Sequence, residues 1–331
     1  MGVMNLAEIM DMSIEIIRKH IKTILLFTLL FGVILIGVIF VSIIGISIIS
    51  IIVGSILSMV TVKAYLAPLV FGIVFSFYAL LLFSFSLASN IGMIKISSQE
   101  FLEERIYVDN ALKATFKNTP KVLGIVVTLI ILFIPIIAIF AVIAYFLYTG
   151  FEGSMISIGI YGVKEIMLII LLIITILAAI LVTLGFITLF LFSLQAIAIE
   201  NKGVVKSLKR SYQLVKNNYL KTFGCMILFS ITVYAIRASL ESFIALASSI
   251  VYLFAKFLNI EQDYNTYILK VFTDFQWPLT LLSLLIITPI ATSMITLLYF
   301  NQRFKKEGYD IVLKLKKIQK NEERKQLSEF V

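Results

Sequence analysis

The chain has 331 residues, of which 60% are hydrophobic and only 14% carry a charge, and its formal net charge at pH 7 is +9. Soluble proteins are roughly 45–50% apolar and about 25% charged, so this composition excludes an ordinary soluble fold. The basic residues stand beside long apolar segments, where they meet anionic lipid headgroups rather than nucleic acid. The sequence therefore predicts an all-α integral membrane protein.

Six segments are long and apolar enough to span the hydrocarbon core, which takes about 20 residues. They are 23–45, 69–94, 121–148, 166–198, 220–240 and 279–301. Segments 46–62 and 241–258 are also apolar. We interpret each of these two either as a continuation of the preceding helix or as a hairpin at the outer interface. If either segment crossed the membrane once more, the basic segments before and after it would lie on opposite sides.

The basic residues are concentrated in four segments. Of the 28 Lys and Arg residues, 23 lie in 1–22, 95–121, 200–222 and 303–331. An excess of Lys and Arg marks loops that stay on the cytoplasmic side. We therefore expect a multi-pass protein of a prokaryotic plasma membrane, with all four segments and both termini in the cytoplasm.

Two of the basic segments predict amphipathic helices ahead of a span, which we call elbows. The apolar face of the first elbow consists of Met10, Ile14, Ile17 and Ile21. That of the third elbow consists of Leu208, Tyr212, Val215 and Tyr219. Amphipathic helices of this kind, rich in Lys and Arg, typically lie in the membrane interface; the alternative is a solvated helix packed on the base of the bundle.

The second elbow is predicted from its ends. The sequence Ser97-Ser-Gln-Glu100 has the pattern of a capping box, which begins a helix. Pro120 disfavours helical geometry in the residue before it, so this elbow is expected to end near Thr119.

The second and third elbows resemble each other. Leu112-Lys113-x-x-Phe116 corresponds to Leu208-Lys209-x-x-Tyr212. With the first elbow, this similarity suggests a parallel threefold repeat. Its units would be 1–94, 95–199 and 200–302, followed by a basic tail, 303–331.

Candidates for catalysis are few. His20 is the only histidine and Cys225 the only cysteine, too few for a zinc site, which needs three or four ligands. A nucleophilic pair would have to combine these two residues, and a buried, inert cysteine is the favoured interpretation. We therefore expect no enzymatic activity, no metal and no cofactor.

Arg237 and Glu241 are the charged residues of most interest within the apolar part of the chain. They are four residues apart and so lie on one helical face. Ionisable residues inside a membrane are costly and often have a function. However, Arg237 lies about 24 Å along a helix from Lys221, which places it close to the headgroups of the opposite leaflet. We therefore favour an ion pair at the membrane interface. The alternative is a polar site inside the helix bundle.

Three segments resemble a known family. Residues 198–203 (AIENKG) with 207–219 (SLKRSYQLVKNNY) resemble the fourth-span exit and elbow of the glycerophosphoryl diester phosphodiesterase membrane domain and its stand-alone relatives. Residues 299–310 (YFNQRFKKEGYD) resemble the closing motif of that family, with Asn301 where many members have Asp. Residues 6–10 (LAEIM) resemble its first elbow.

The resemblance implies a six-span membrane module that lacks the phosphodiesterase domain of the two-part members. The leading hypothesis is a non-enzymatic module that binds lipid headgroups, or supports a membrane or cytoplasmic partner protein, at its basic face. The alternatives are a small transporter or channel, and the membrane anchor of a separately encoded glycerophosphodiester phosphodiesterase.

Specific residues follow from these hypotheses. The cations expected to contact anionic lipid or a partner are Arg18, Lys19, Lys209, Arg210, Lys216, Arg303, Lys305 and Lys306. Gly308 is expected to stop the last helix, because glycine adopts left-handed geometry readily. Asp310 would then find a cationic partner among Lys209, Arg210 and Lys216 and so clasp the tail to the third elbow.

Overall fold

The computed structural model describes residues 3–59, 66–102, 105–152, 163–257, 263–315, 318–319 and 322. Within those ranges the chain is helical and has no strand. The helices are α1 (Leu6–Met59), α2 (Leu66–Leu102), α3 (Val108–Glu152), α4 (Val163–Leu189), α5 (Ser193–Glu200), α6 (Val204–Val215), α7 (Tyr219–Phe257) and α8 (Tyr264–Glu307). Six candidate spans emerge from these helices by length and composition. The protein is an all-α integral membrane protein.

The two ambiguous apolar segments continue the helices before them. Helix α1 runs to Met59 and α7 runs to Phe257, so neither segment folds back as a hairpin within the described residues. Residues 60–62 and 258 lie outside those residues.

The four basic segments meet at one end of the helix bundle. An ion pair joins Lys19 to Glu100, and the ring of Phe101 stacks on Phe300 with centroids 4.4 Å apart. Arg210 in turn pairs with Glu307. We call this the basic end; it comprises residues 5–22, 95–102, 105–121, 200–222 and 299–315.

The largest of three clusters of buried apolar residues lies at the basic end, around α8. In the most apolar 18-residue stretch of α8, 67% of the residues are buried, whereas in the corresponding stretches of the other five spans only 0–17% are buried. Fully buried residues there include Ile16, Phe192, Tyr299 and Phe300. Helix α8 is thus the most buried of the spans, and the more distant parts of the other spans present apolar side chains outward.

The first elbow is the beginning of α1, and it is set off by a kink at His20 (φ −112°, ψ 19°). A capping box starts this helix: the Asn5 N–H donates to Glu8 Oε2, and the Glu8 N–H donates to Asn5 Oδ1, both at 2.9 Å.

The predicted apolar face of this first elbow is only partly buried, with Met10 and Ile17 half-buried. Ile14 and Ile21 are exposed, and the buried face consists of Ile9, Ser13 and Ile16. The first elbow has apolar residues on two sides, and the side with Ile9 and Ile16 packs against the core.

The second elbow begins later than predicted. Residues 97–100 form the end of α2, and α3 begins at Val108. The hydroxyls of the expected cap are already bonded: Ser97 Oγ contacts Ser293 Oγ of α8 at 2.8 Å, and Ser98 Oγ donates to the Lys95 carbonyl at 2.9 Å. Contacts with α8 therefore extend α2 instead of starting a new helix.

Pro120 does not end the second elbow, since α3 continues through it to Glu152. Proline removes one helical hydrogen bond, to the carbonyl four residues earlier. Pro120 and Phe116 both lie on the exposed side of α3, so the residue that loses this bond is not in the core. Elbow and span form one helix here.

The fourth span is interrupted rather than continuous. Helix α4 ends at Leu189 and α5 begins at Ser193. Ser211 of the third elbow bonds both sides of this break: its Oγ donates to the Leu189 carbonyl at 2.9 Å and accepts from the Phe192 N–H at 3.0 Å. Backbone groups inside a membrane need such partners, so the elbow supplies them.

The third elbow is α6, as the sequence pattern predicts. Its buried face includes Leu208 and Val215, but Tyr212 is 46% exposed, and the buried polar residues Ser207 and Ser211 take part in the face instead. The elbows therefore differ in construction: the first is kinked from its span, the second is continuous with it and the third is a separate helix. The threefold repeat stays a prediction.

Candidate functional site

A tight connection between α5 and α6 positions Glu200. Asn201 adopts the left-handed conformation (φ 52°). Its N–H donates to the Ile197 carbonyl at 3.1 Å, and the N–H of Lys202 donates to the Ala196 carbonyl at 3.3 Å. This is the pattern of a helix stop with a left-handed cap. The chain reverses within three residues, so the Glu200 carboxylate faces α6.

Glu200 accepts hydrogen bonds from three directions. Nε and Nη2 of Arg210 both donate to Oε1 at 3.0 Å, and Lys202 Nζ lies 2.6 Å from Oε2. The Tyr299 hydroxyl of α8 donates to Oε1 as well. One carboxylate therefore joins α5, α6 and α8.

Glu307 extends this network at the end of α8. Arg210 Nη2 donates to Glu307 Oε2 at 2.8 Å, and Arg303 Nε donates to the same oxygen at 3.1 Å. The guanidinium of Arg303 lies over the ring of Tyr309, 3.6 Å from its centroid, a favourable cation–π geometry. We call the set Glu200, Arg210, Tyr299, Arg303 and Glu307 the ionic hub.

The ionic hub is structural. The side chains of Glu200, Arg210 and Arg303 are only 11–15% exposed, and that of Glu307 is 28% exposed. Its two carboxylates are matched by two arginines and by Lys202. The guanidinium groups are thus directed at protein carboxylates and are not free for lipid phosphates.

The tail contacts the third elbow, but Asp310 is not the acidic partner. Asp310 forms no ion pair with Lys209, Arg210 or Lys216, and Glu307 pairs with Arg210 instead. Glu307 is the last residue of α8, whereas Asp310 lies beyond the turn at Gly308 (φ 59°), which ends the helix.

Lys306 also contacts the third elbow. Its ammonium donates to the carbonyls of Gln213 and Leu214 at 3.2 and 2.9 Å. A cation at the C-terminal end of a helix interacts favourably with its last carbonyls, so Lys306 stabilises the end of α6.

The remaining predicted contact residues fall into two groups. Lys19 is paired with Glu100. Arg18, Lys209, Lys216 and Lys305 are exposed and have no ion pair within the described residues. Only this second group has its charge available to a ligand.

Arg237 and Glu241 form the pair that their spacing predicts. Arg237 Nε lies 2.8 Å from Glu241 Oε1, and the two side chains are 59% and 43% exposed. The pair is exposed on α7, and Arg237 also lines a cavity of about 310 Å³ between α7, α8 and Leu191. Exposed pairs of this kind contribute only about 0–1 kcal/mol to stability.

A cleft at the basic end combines free lysines with apolar residues. It has a volume of about 540 Å³ and lies between the N-terminal segment, the start of α7 and the end of α8. Of the residues that the structure describes, Lys221 and Lys305 line it and no acidic side chain does. Both lysines are exposed. We call it the lysine cleft.

The floor of the lysine cleft is apolar and leads into the span region. Leu6, Ile9, Leu228 and Leu298 are among its lining residues. Leu228 is seven residues beyond Lys221 on α7, a rise of about 10 Å. The cleft therefore presents cations at its mouth and hydrocarbon below them.

Amide side chains form the walls of the cleft. Asn301 holds the N-terminal segment, because it donates to the Met4 carbonyl at 2.9 Å and accepts from the Met4 N–H at 3.0 Å. Asn218 Nδ2 donates to Gln302 Oε1 at 3.3 Å. Sequence reasoning did not select these residues as a site. The available signal was two adjacent amides at the end of an apolar span, beside Arg303.

Comparison with known proteins gives one family. Residues 109–302 match the family described as a domain of unknown function, DUF7847. This match covers more than half of the chain. The chain belongs to the DUF7847 family. Glu200, Arg210 and Lys221 lie within the DUF7847 match, whereas Lys305 and Glu307 follow it. The chain matches none of the curated proteins and none of the solved structures with which it was compared.

Proposed function

We propose that this protein is a non-enzymatic, multi-pass membrane module that binds anionic lipid headgroups at a basic cytoplasmic face. The observation that carries the proposal is the lysine cleft, where Lys221 and Lys305 stand free of acidic partners above an apolar floor. A lipid phosphate would contact the two ammonium groups, and its acyl chains would follow the floor toward Leu228. The ionic hub supports the proposal indirectly, because it fixes the end of α8, one of the helices that form the cleft.

Orientation follows from the same charges. Juxtamembrane lysines are each worth about 1 kcal/mol near an anionic leaflet, and basic segments are retained in the cytoplasm. We therefore assign the basic end to the cytoplasmic side of a prokaryotic plasma membrane. A partner protein that binds the same face is the neighbouring hypothesis, with the exposed Lys209 and Lys216 as its contacts.

The other functional classes have less support. The surface position of Arg237 and Glu241 favours an interfacial pair over a transport site. A role as the anchor of a separately encoded glycerophosphodiester phosphodiesterase stays a prediction that rests on sequence resemblance.

The test compares two double variants with equal loss of charge. Lys221→Gln/Lys305→Gln alters the cleft, and Lys206→Gln/Lys209→Gln alters the exposed face of α6. Binding of phosphatidylglycerol to the purified protein is measured by native mass spectrometry during titration into detergent micelles. Two charge-assisted hydrogen bonds to the phosphate, at about 1.5 kcal/mol each, predict that the cleft variant binds roughly 150-fold more weakly.

The control variant should keep its affinity within about threefold. Equal losses in the two variants would contradict a defined cleft, because binding would then depend only on total charge. Unchanged affinity in both would contradict lipid binding through lysines altogether.

A further inference from the structure

A second cavity lies at the interruption of the fourth span. It has a volume of about 420 Å³ and is bounded by α2, α3, the α4–α5 break and α8. Its lining is mostly apolar, includes a few amide and hydroxyl side chains and contains no charged residue. The polar members are Asn90, Ser193, Gln195, Thr288 and Thr292. We call it the amide cavity.

Gln195 has an acceptor that is buried and unused. Its side chain is 3% exposed, and Oε1 has no hydrogen-bond partner. Two of its polar neighbours are already bonded: Thr292 donates to Asn90 Oδ1 at 3.0 Å, and Ser193 donates to the Phe190 carbonyl at 2.7 Å. The hydroxyl of Thr288 also lines the cavity but does not bond Gln195 Oε1. A buried acceptor without a donor is costly, so Gln195 Oε1 is a group that a ligand donor would satisfy.

The amide cavity lies inside the span region and close to the basic end. Gln195 is five residues before Glu200, about 7 Å along a helix, and Asn90 is ten residues before Glu100, about 15 Å. A charged ligand would be strongly disfavoured at this depth, where no protein charge could balance it. The ligand must therefore be uncharged.

Water alone fits the amide cavity poorly. A water molecule occupies about 30 Å³ and needs two to four polar partners, whereas apolar cavities stay dry. Several waters would contact apolar residues such as Val126, Leu129 and Phe186. An amphiphile with an apolar body and one donor matches this lining better. Ile187 lines the cavity and is 48% exposed, so the cavity has a wall at the surface that faces lipid.

We propose that the amide cavity binds a neutral lipid with a free hydroxyl group, of the diacylglycerol class, whose O–H donates to Gln195 Oε1. This site is separate from the lysine cleft, which selects negative charge. The protein would thus hold an anionic headgroup at its basic end and a neutral lipid within its spans.

The experiment uses two lipids that differ by one donor. Protein in nanodiscs of phosphatidylcholine is titrated with 1,2-dioleoylglycerol or with its 3-O-methyl ether, which has no hydroxyl hydrogen. Binding is followed by native mass spectrometry. One buried hydrogen bond predicts that the native protein binds dioleoylglycerol about fivefold more tightly than the ether.

Variants test whether Gln195 is the group that distinguishes the two lipids. Gln195→Leu should abolish the difference between the two lipids, whereas Gln213→Leu, the same change on the exposed face of α6, should retain it. Lys221→Gln/Lys305→Gln should also retain it, which separates this site from the lysine cleft.

Two outcomes would overturn the proposal. Equal affinity of the native protein for the two lipids would show that no donor is recognised, and the absence of saturable binding would leave water as the occupant. Both comparisons use the native protein, so they decide the question even where Gln195→Leu does not fold.

Discussion

At the scale of single residues, Arg210 has the most connected position at the basic end. It donates to Glu200 and to Glu307, and so lies between the carboxylates of α5 and α8. The guanidinium group presents several donors in a fixed plane, which allows it to serve two acceptors at once. Lysine, with a single ammonium group, could not reproduce this geometry.

Replacement of Arg210 should therefore be much more harmful than replacement of its neighbour. Arg210→Met leaves the largely buried carboxylate of Glu200 and the partly exposed carboxylate of Glu307 without their shared partner. Removal of one member of a fully buried pair costs about 3–5 kcal/mol. Because Glu307 is 28% exposed, we expect a loss of about 2–3 kcal/mol in the free energy of unfolding.

The measurement is thermal unfolding in detergent, with Lys209→Met as the control. Lys209 is exposed and has no ion pair within the described residues, so its replacement should change stability by less than about 0.5 kcal/mol. Similar melting temperatures for the two variants would refute a structural role of the ionic hub.

At the scale of elements, the broken fourth span depends on a residue outside it. Leu189 and Phe192 leave backbone groups that the helices α4 and α5 do not bond, and Ser211 of α6 satisfies one group on each side. The hydroxyl is suited to this role because it both donates and accepts. The break and the third elbow therefore form one structural unit.

Ser211→Ala should destabilise the protein by about 2 kcal/mol or more, since each orphaned buried group costs about 1–3 kcal/mol. Ser207→Ala is the matched control on the same helix. Ser207 is also fully buried, but its hydroxyl donates to the Val204 carbonyl of its own turn at 2.7 Å. Unfolding in a denaturing detergent such as SDS compares the two, and equal losses would argue against a special role for Ser211.

At the scale of the whole molecule, packing and charge are concentrated at the same end. The largest core cluster includes the final turns of α8, and the exposed Lys209, Lys216, Lys221 and Lys305 lie in the segments of the same basic end. More distant parts of the spans present apolar side chains outward, as lipid contact requires. This asymmetry predicts a fixed orientation in the membrane.

Orientation can be tested with single cysteines in a Cys225→Ser background. Lys117→Cys and Lys209→Cys should resist an impermeant thiol reagent in intact cells, whereas Asn265→Cys should react. All three positions are exposed in the structure, so protection reports the membrane and not burial. Permeabilised cells provide the control, in which all three should react, and labelling of Lys209→Cys from outside would exclude a cytoplasmic basic end.

The sequence predicts well those features that depend on composition. Hydrophobic length located the six spans, and the distribution of Lys and Arg predicted which segments meet at one end. It also predicted the helix stop at Gly308, because that signal is local.

Features that depend on tertiary partners were not predictable in this way. Ser97 resembles a cap in sequence, but its hydroxyl bonds Ser293 of α8. The break at residues 190–192 requires Ser211, which lies beyond the span. The lysine cleft depends on which lysines remain unpaired after folding, and no local pattern contains that information.

The dependence of the fourth span on Ser211 also has a consequence for biosynthesis. Leu189 and Phe192 leave the ribosome before Ser211, so the interrupted span enters the membrane before its capping hydroxyl can reach it. Unpaired backbone groups in hydrocarbon cost several kcal/mol each, and the nascent chain must therefore bond them differently, for example as a continuous helix. We expect the native break to form only after α6 docks. Folding of the fourth span would then be completed only once the third elbow, which follows it in the sequence, is in place.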